Sequence, residues 1–371
     1  MTARTGVTGS ITRLVTRWTT LMPPLALIVL AATWGRSVPA VVAAVVAVVL
    51  AGAVLAAVHH AEVVAHRVGE PFGSLVLAVA VTVIEVGLIL TLTAAGGPGA
   101  ETLGRDTVFA AVMITCNGIV GLAILAGVRR HDLVSFNAEG AGGALATVIT
   151  LAGLCFVLPN VTSATPGPEF SPGQLAFAAV ASTVLYGVFV VTQTVRHRDF
   201  FLPVDDAGQA IEEVHADPPS PRTAWISVGM LMACLVAVVG LAKVESKTIE
   251  SLVDAAGLPH AVVGVVIALL VLAPESLAAV RAARRNRMQT SFNLAYGSAI
   301  ASIGLTVPAL ALATLWVDTP LLLGLTQVQL VLFSLTVVVN ILTVVPGRAS
   351  RLQGGVHLAL LAAYLFLSMN P

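Results

Sequence analysis

Two glutamates, Glu85 and Glu275, are the only ones of 19 acidic residues that the hydropathy pattern places well inside apolar stretches. A carboxylate at membrane depth costs at least about 2.5–3.5 kcal/mol, so an acid in this position indicates a functional site. Removal from water disfavours the charged form, and a bound cation restores it by supplying the opposite charge. The pair therefore predicts a metal-ion site that is shared, in turn, with protons. The alternative is a protonated glutamate that hydrogen-bonds to a neighbouring helix.

A hard cation needs more oxygen ligands than two carboxylates supply, since Ca²⁺ takes six to eight. Hydroxyl and amide groups in the same stretches are candidate supporting ligands: Thr82, Asn117, Ser276, Ser298 and Ser302. Each of them could instead hydrogen-bond across helices. Pro274 removes a backbone hydrogen bond just before Glu275 and could free a carbonyl oxygen to coordinate an ion.

A polar cluster precedes the third apolar stretch and contains His59, His60, Glu62, His66 and Glu70. Three of these residues, His59, Glu62 and His66, share one face of a helix. The cluster could hold a metal or relay protons, because histidine titrates near neutral pH. Glu62 is the best candidate for a gate residue on the cytoplasmic side. The alternative is the polar end of a helix at the membrane interface.

The loop at 196–222 is rich in acidic side chains: Asp205, Asp206, Glu212, Glu213 and Asp217, together with His197 and His215. Such a cluster could sense Ca²⁺ and regulate transport. It lacks the spacing of an EF-hand, however, and the alternative is a solvated, charge-rich loop.

Composition decides the class of protein that must position these groups. The chain of 371 residues is 57% hydrophobic and 10% charged, against about 25% charged residues in a soluble domain. A soluble protein is therefore excluded. The net charge of zero gives no basic field for nucleic acid. The three cysteines lie in apolar segments without metal-ligand spacing and are expected to pack as small hydrophobes.

Eleven apolar windows are long enough to cross a bilayer, which takes about 20 residues. The first has Pro23 and Pro24 near its start and no cleavage site, so it is interpreted as a short helix rather than a signal peptide. The windows are 20–35, 38–58, 70–96, 107–128, 141–159, 173–195, 223–243, 259–282, 291–316, 320–345 and 354–370.

Lysine and arginine in short loops mark the cytoplasmic side of a membrane. With the N-terminus inside, all but four of the 19 basic residues fall in cytoplasmic segments. The four outside are Arg36, Arg105, Lys243 and Lys247. This asymmetry predicts eleven spans with a cytoplasmic N-terminus and an external C-terminus.

The predicted fold is an all-α polytopic membrane protein with one N-terminal helix and two five-helix halves. An odd number of spans in each half gives the halves inverted orientations, as in many secondary transporters. A faint repeat supports this division, since 80–85 and 270–275 are both apolar segments that end in a glutamate. The predicted divisions are 1–37, 38–195, the loop 196–222, and 223–371.

The residues around both glutamates resemble a known family. The stretch from Ala61 to Glu85, with Gly-Glu-Pro-Phe-Gly at 69–73, resembles the first alpha-repeat of the calcium/proton antiporters in the cation/calcium exchanger superfamily. The stretch from Val262 to Pro308, with Ala-Pro-Glu-Ser at 273–276, resembles the second. The likeness covers nearly the whole chain and is strongest to bacterial ChaA-type sodium-potassium/proton and calcium/proton antiporters.

The resemblance implies that Glu85 and Glu275 bind the cation and the protons, with Ser298 near them. It implies a non-enzymatic antiporter of a bacterial inner membrane that exports Ca²⁺, and also Na⁺ or K⁺, as protons enter. The bilayer, these cations and protons are its partners, and no cofactor is expected. The oligomeric state, from monomer to trimer, stays open.

The chain also departs from the family's Gly-Asn-x-x-Glu motif, and Ala301 stands where a Gln is common. The Gly and Asn positions hold Val81 and Thr82 in the first repeat, and Val271 and Leu272 in the second. A monovalent-cation/proton antiporter with little Ca²⁺ activity is therefore the alternative. A channel or a membrane scaffold ranks lower, and an enzyme is not expected because the His-Glu-x-x-His and Gly-x-Ser-x-Gly motifs are absent.

Overall fold

A computed structural model describes residues 5–36, 38–69, 72–128, 133–202, 218–317 and 319–371. Eleven long helices and a two-stranded sheet form in these ranges. The helices are α1 (Thr5–Thr33), α2 (Ala40–Val68), α3 (Phe72–Ala95), α4 (Leu103–Gly127), α5 (Ala138–Asn160), α6 (Pro172–Arg196), α7 (Pro221–Ala255), α8 (Ala261–Arg284), α9 (Met288–Ala313), α10 (Gln327–Val344) and α11 (Arg351–Met369). The strands are β1 (Leu133–Ser135) and β2 (Arg348–Ser350).

Ten of the described helices are long and apolar enough to cross a membrane. The apolar part of α1, Trp18–Thr33, is shorter. Each of the eleven predicted windows falls on one of the eleven helices, so the prediction of an all-α polytopic membrane protein is confirmed. The opposite orientation of the two halves stays a prediction.

The first helix begins earlier than predicted, at Thr5, and contains Pro23 and Pro24 in its interior. Proline has no N–H, so Pro23 cannot donate to the carbonyl of Thr19 four residues earlier. The Nε2 atom of His60 lies 3.1 Å from that carbonyl oxygen. Because a carbonyl only accepts, Nε2 carries the hydrogen and satisfies the freed oxygen. This contact helps to explain why the helix continues through the two prolines.

The described chain divides into two compact units. The first unit, Met1–Ala95 with Asp217–Ser251, contains α1, α2, α3 and most of α7. Within it, His60 also contacts α7, because its Nδ1 atom lies 3.3 Å from Ser227 Oγ. A single buried histidine thus joins α1, α2 and α7.

The second unit, Gly96–Ala216 with Leu252–Pro371, contains the other seven helices and the sheet. The two strands pair antiparallel, with Val134 opposite Ala349. In this unit α8 packs closely on α4 at Gly264, where a Cβ would lie 2.8 Å from the backbone of Asp106. A larger residue at this position would push the two helices apart.

The compact units do not follow the predicted sequence halves, because α7 belongs to the first unit and α4, α5 and α6 to the second. The predicted divisions at 38–195 and 223–371 divide the sequence rather than the compact units, and they stay predictions. Most of the acidic loop, including all of its candidate regulatory residues, lies outside the described residues. These are Asp205, Asp206, Glu212, Glu213 and Asp217.

Candidate functional site

Glu85 lies on the buried face of α3 in the first unit, with 3% of its surface exposed. The opposite face of this helix is apolar and exposed at Leu75, Val79 and Val83. The carboxyl group therefore points away from the face that meets lipid. Thr82, one turn earlier and also buried, shares the face of Glu85 and stays a candidate ligand.

Glu275 lies on α8 in the second unit and is half-buried. It shares a helical stripe with the buried residues Ala268, Val271 and Ala279, while Val266 and other large apolar side chains cover the exposed face. Each predicted acid is thus on the face of its own helix that avoids lipid.

Pro274 lies inside α8, and the helix continues through it. It cannot donate to the carbonyl of Leu270, so that oxygen lacks its helical partner, as the sequence predicts. Ser276 donates its hydroxyl hydrogen to the carbonyl of Leu272 at 2.7 Å. A cation would therefore be bound by the oxygen lone pairs of Ser276 without breaking this bond.

The helix after each glutamate contains a π-helical segment. In α4 the segment is Ile114–Ile119, and in α9 it is Ser302–Thr306. Glu85 precedes the first segment by about as many residues as Glu275 precedes the second. Segments of this kind occur often at functional sites, where they turn side chains away from the regular helical pattern.

Three of the predicted supporting ligands lie on these two helices. Ser302, the first residue of the second π segment, is 6% exposed, and Ser298, one turn earlier, is half-buried. Asn117 lies in the first π segment and is completely buried. The roles of Ser298 and Ser302 as ligands stay predictions.

Asn117 is bonded at both ends of its amide. Its Nδ2 atom donates to Thr336 Oγ1 at 2.9 Å, and its Oδ1 atom lies 3.3 Å from His357 Nδ1. The other ring nitrogen of His357 lies 3.0 Å from Thr343 Oγ1. This amide oxygen therefore already contacts His357, and a cation that bound Asn117 would have to use its second lone pair.

The contacts of Asn117 belong to a larger buried polar network in the second unit. The Tyr296 hydroxyl donates to Asn340 Oδ1 at 2.8 Å, and Asn340 Nδ2 donates to the carbonyl of Thr336 at 2.8 Å. Both Tyr296 and Asn340 are completely buried. We call these six residues the buried polar network: Asn117, Tyr296, Thr336, Asn340, Thr343 and His357.

A buried ion pair lies in the first turn of α4, where the sequence predicts an external loop. Arg105 and Asp106 are 8% and 2% exposed, and Arg105 Nη2 lies 2.8 Å from Asp106 Oδ1. Arg105 also donates to the carbonyl of Gly324, and Gln329 donates to Asp106 Oδ1 at 3.1 Å. The helix begins at Leu103 rather than near 107, so both residues lie in its first turn.

The polar cluster at the end of α2 is divided between buried and exposed side chains. His60 is buried, His59 is half-buried beside it, and Glu62 and His66 are exposed. Glu70 lies outside the described residues. In the part of the chain that the structure describes, no three His, Cys, Asp or Glu side chains form a group that could hold a metal. The relay and gate functions of this cluster stay predictions.

Comparison with known proteins identifies the family. The family described as sodium/calcium exchanger protein matches residues 38–195 and 226–370, which is most of the chain. The chain belongs to the sodium/calcium exchanger family. The protein y4hA of Sinorhizobium fredii is 44% identical to this exchanger over 361 residues, covering 95% of this chain and 96% of that protein.

A second relative is the sodium-potassium/proton antiporter ChaA of Escherichia coli. It is 35% identical over 349 residues, covering 93% of this chain and 94% of its own. Among solved structures, native YfkE superposes with a TM-score of 0.71 at 19% identity, covering 96% of this chain and 99% of that one. At this identity the likeness shows the fold, and it agrees with the polytopic helical architecture.

Besides Asp106, a second buried acid of this exchanger is not predicted from the sequence. Helix α7 does not end at 243 but continues to Ala255, and Glu245 within it is 3% exposed. Burial is thus not confined to the two acids that lie well inside apolar segments. The signal was present, because Cys234, Val238 and Leu241 precede Glu245 at helical spacing on one buried stripe.

Proposed function

We propose that this exchanger is a secondary antiporter that trades cations for protons, with Glu85 and Glu275 as the groups that bind both. The observation that carries the proposal is the burial of Glu85 on the lipid-avoiding face of an apolar helix. Such placement is costly unless the acid has a function. Membership of the family and the name of the relative ChaA support the same activity.

The chemistry follows from charge. A cation in the site holds both carboxylates in their ionised form, and protons that neutralise them remove the attraction and release the cation. Two carboxylates can release one divalent ion, or one or two monovalent ions, when they take up protons. Exchange then requires that the site opens to one side of the membrane at a time.

Ca²⁺ is the first candidate cation, with Na⁺ and K⁺ as further substrates. A second candidate function is an antiporter for Na⁺ and K⁺ with little Ca²⁺ activity. Thr82 favours the second, because it offers one hydroxyl oxygen on the face of Glu85 where the resemblance predicts an amide. Fewer strong oxygen ligands favour ions that require fewer of them.

The distribution of basic residues supports a cytoplasmic N-terminus and an external C-terminus. The bacterial relatives support a place in the inner membrane. In this arrangement protons that enter the cell would drive cation export. The reaction needs no cofactor and no enzymatic step.

The test uses everted membrane vesicles with an imposed proton gradient. Ca²⁺, Na⁺ or K⁺ is added, and the collapse of the gradient is followed for the wild type, Glu85→Gln and Glu275→Gln. The matched control is Glu101→Gln, which neutralises an acid that is exposed between α3 and α4.

The wild type is expected to collapse the gradient on addition of its cation. Each buried variant should lose about a hundredfold or more of this rate, because glutamine cannot alternate between charged and neutral forms. The control should match the wild type. Full exchange in either buried variant would show that this glutamate does not bind the cation or the protons. The cations that collapse the gradient in the wild type would decide between the two candidate functions.

A further inference from the structure

Glu245 is a buried acid without a function in the exchange reaction described above. It is 3% exposed, whereas its neighbours Lys243 and Lys247 on the same helix are exposed. Its Oε1 atom has no hydrogen-bond partner among the residues that the structure describes. Neither lysine forms an ion pair with it in this part of the chain. An acid in these surroundings is least costly when it is protonated.

The buried stripe of α7 runs from Ser227 to Glu245, which at about 1.5 Å per residue is about 27 Å. This length is close to the hydrocarbon thickness of a bilayer, about 30 Å. At the first end, Ser227 lies beside His60 of α2. Glu245 therefore lies at the opposite end of the first unit from the histidine cluster.

The depth of Glu245 relative to Glu85 follows from the helix packing of this unit. Helices α1 and α7 run parallel, since Thr19 and Ser227 both meet His60 and Leu30 packs against Gly240. Met22 packs against Gly52, so α2 runs antiparallel to α1. Helix α3 follows α2 through a short connection and packs against it, so it runs parallel to α7.

Helices α3 and α7 touch where Gly87 meets Val239, since a Cβ on this glycine would lie 2.8 Å from the valine side chain. Glu85 lies two positions before this contact on α3. Glu245 lies about 9 Å beyond it along α7, at about 1.5 Å per residue. The acid is therefore nearer to the membrane face at which α7 ends than Glu85 is.

Among the described side chains, the helices packed around α7 in this unit bring no opposing charge to Glu245. The described side chains of α1, from Trp18 onward, include no ionisable group, and the only ionisable group of α3 is Glu85. The ionisable groups of α2 all lie at its far end, from His59 to Arg67. Within the described first unit, protonation is therefore the available way to neutralise this carboxyl group.

From these observations we infer that Glu245 is a third proton-binding carboxyl group, which loads protons at the membrane face where α7 ends. This inference rests on the proposed exchange of cations for protons. The step is a proton transfer alone, in which a carboxylate oxygen takes a proton from hydronium and later returns it to water. Glu245 would raise the local supply of protons without binding the cation.

The test uses purified full-length protein in liposomes, with equal pH on both sides and a gradient of radioactive Ca²⁺ or Na⁺. Cation uptake is measured from about pH 6 to about pH 8.5 for the wild type, Glu245→Gln and Glu245→Asp. Glu250→Gln is the matched control, since this acid lies on the same helix but is only half-buried. Thermal unfolding in detergent checks that every variant is folded.

Glu245→Gln is expected to match the wild type within about twofold at the acidic end and to fall about tenfold at the alkaline end, where protons are scarce. Glu245→Asp should recover part of the alkaline activity, and the control should follow the wild type. An unchanged profile, or the same loss at every pH, would overturn the inference and leave a structural acid. Wild-type uptake without counterflow of protons would instead overturn the proposed exchange itself.

Discussion

Two buried polar groups, His357 in the second unit and Glu245 in the first, differ in how completely they are bonded. In the second unit, His357 has a partner at each ring nitrogen and Asn117 at each end of its amide. In the first unit, Glu245 is just as well buried but leaves one carboxyl oxygen without a partner in the described chain. Fully bonded polar groups fix one arrangement of helices. An acid with an open position can change its protonation without dismantling such an arrangement.

The largest test of this difference is Asp106→Asn in the second unit. The substitution leaves the Arg105 guanidinium buried without an opposing charge, so we expect the free energy of unfolding to fall by about 3–5 kcal/mol. Denaturant unfolding in detergent measures the change. Asp254→Asn is the control, because this aspartate is 65% exposed and its 3.4 Å contact with His260 Nε2 should contribute less than about 1 kcal/mol. Equal effects of the two variants would contradict the prediction.

His357→Ala tests the buried polar network. It leaves Asn117 Oδ1 and Thr343 Oγ1 without their histidine partner and opens a cavity in α11, so a loss of about 2–4 kcal/mol is expected. The same unfolding measurement applies, with the exposed His66→Ala as control. If the two histidines had the same effect, the network would not stabilise this unit.

Tyr296→Phe removes one hydroxyl from the network and keeps the ring. Hydrogen bonds between membrane helices contribute about 0.6 kcal/mol on average and about 1.7 kcal/mol at most. We expect a loss in this range, because Asn340 Oδ1 loses its donor. Thr147→Val, on an exposed surface of α5, should change stability less. A stabilising effect of Tyr296→Phe would mean that the hydroxyl is poorly bonded.

The smallest expected effect belongs to Glu245→Gln. Among the residues that the structure describes, none forms a hydrogen bond with Oε1, so the free energy of unfolding should change by about 0.5 kcal/mol or less. The change is measured by comparing the thermal unfolding of the variant and of the wild type in detergent. A loss above about 2 kcal/mol would place Glu245 with fully bonded groups such as His357 and remove the contrast between the two residues.

Hydropathy predicts the number of helices well, because a span must hide its backbone in about 20 apolar residues. It does not predict where a helix stops when the chain leaves the bilayer. The predicted window on α7 ends at 243 because Lys243 and Lys247 lower the mean hydropathy. The helix nevertheless continues, with both lysines on its exposed side. The hydropathy windows therefore place Glu245 in a loop, although its helical spacing marks the buried face.

Contacts between distant segments explain the other differences. Pro23 and Pro24 predict the start of a helix, and the structure keeps them inside α1 with His60 bonded to the freed carbonyl. That bond joins segments far apart in the chain, and local sequence does not contain it. The π segments that contain Asn117 and Ser302 are also absent from the hydropathy pattern, since one extra residue in a turn leaves composition unchanged.

The burial of every native thiol makes this exchanger suitable for chemical labelling. Cys116, Cys155 and Cys234 are at most 1% exposed, so a membrane-impermeant maleimide should find no native target in the folded protein. A cysteine introduced at Lys247, on the exposed side of α7, would then be the sole reactive position. Labelling in intact cells and in everted vesicles would reveal which compartment this helix end faces.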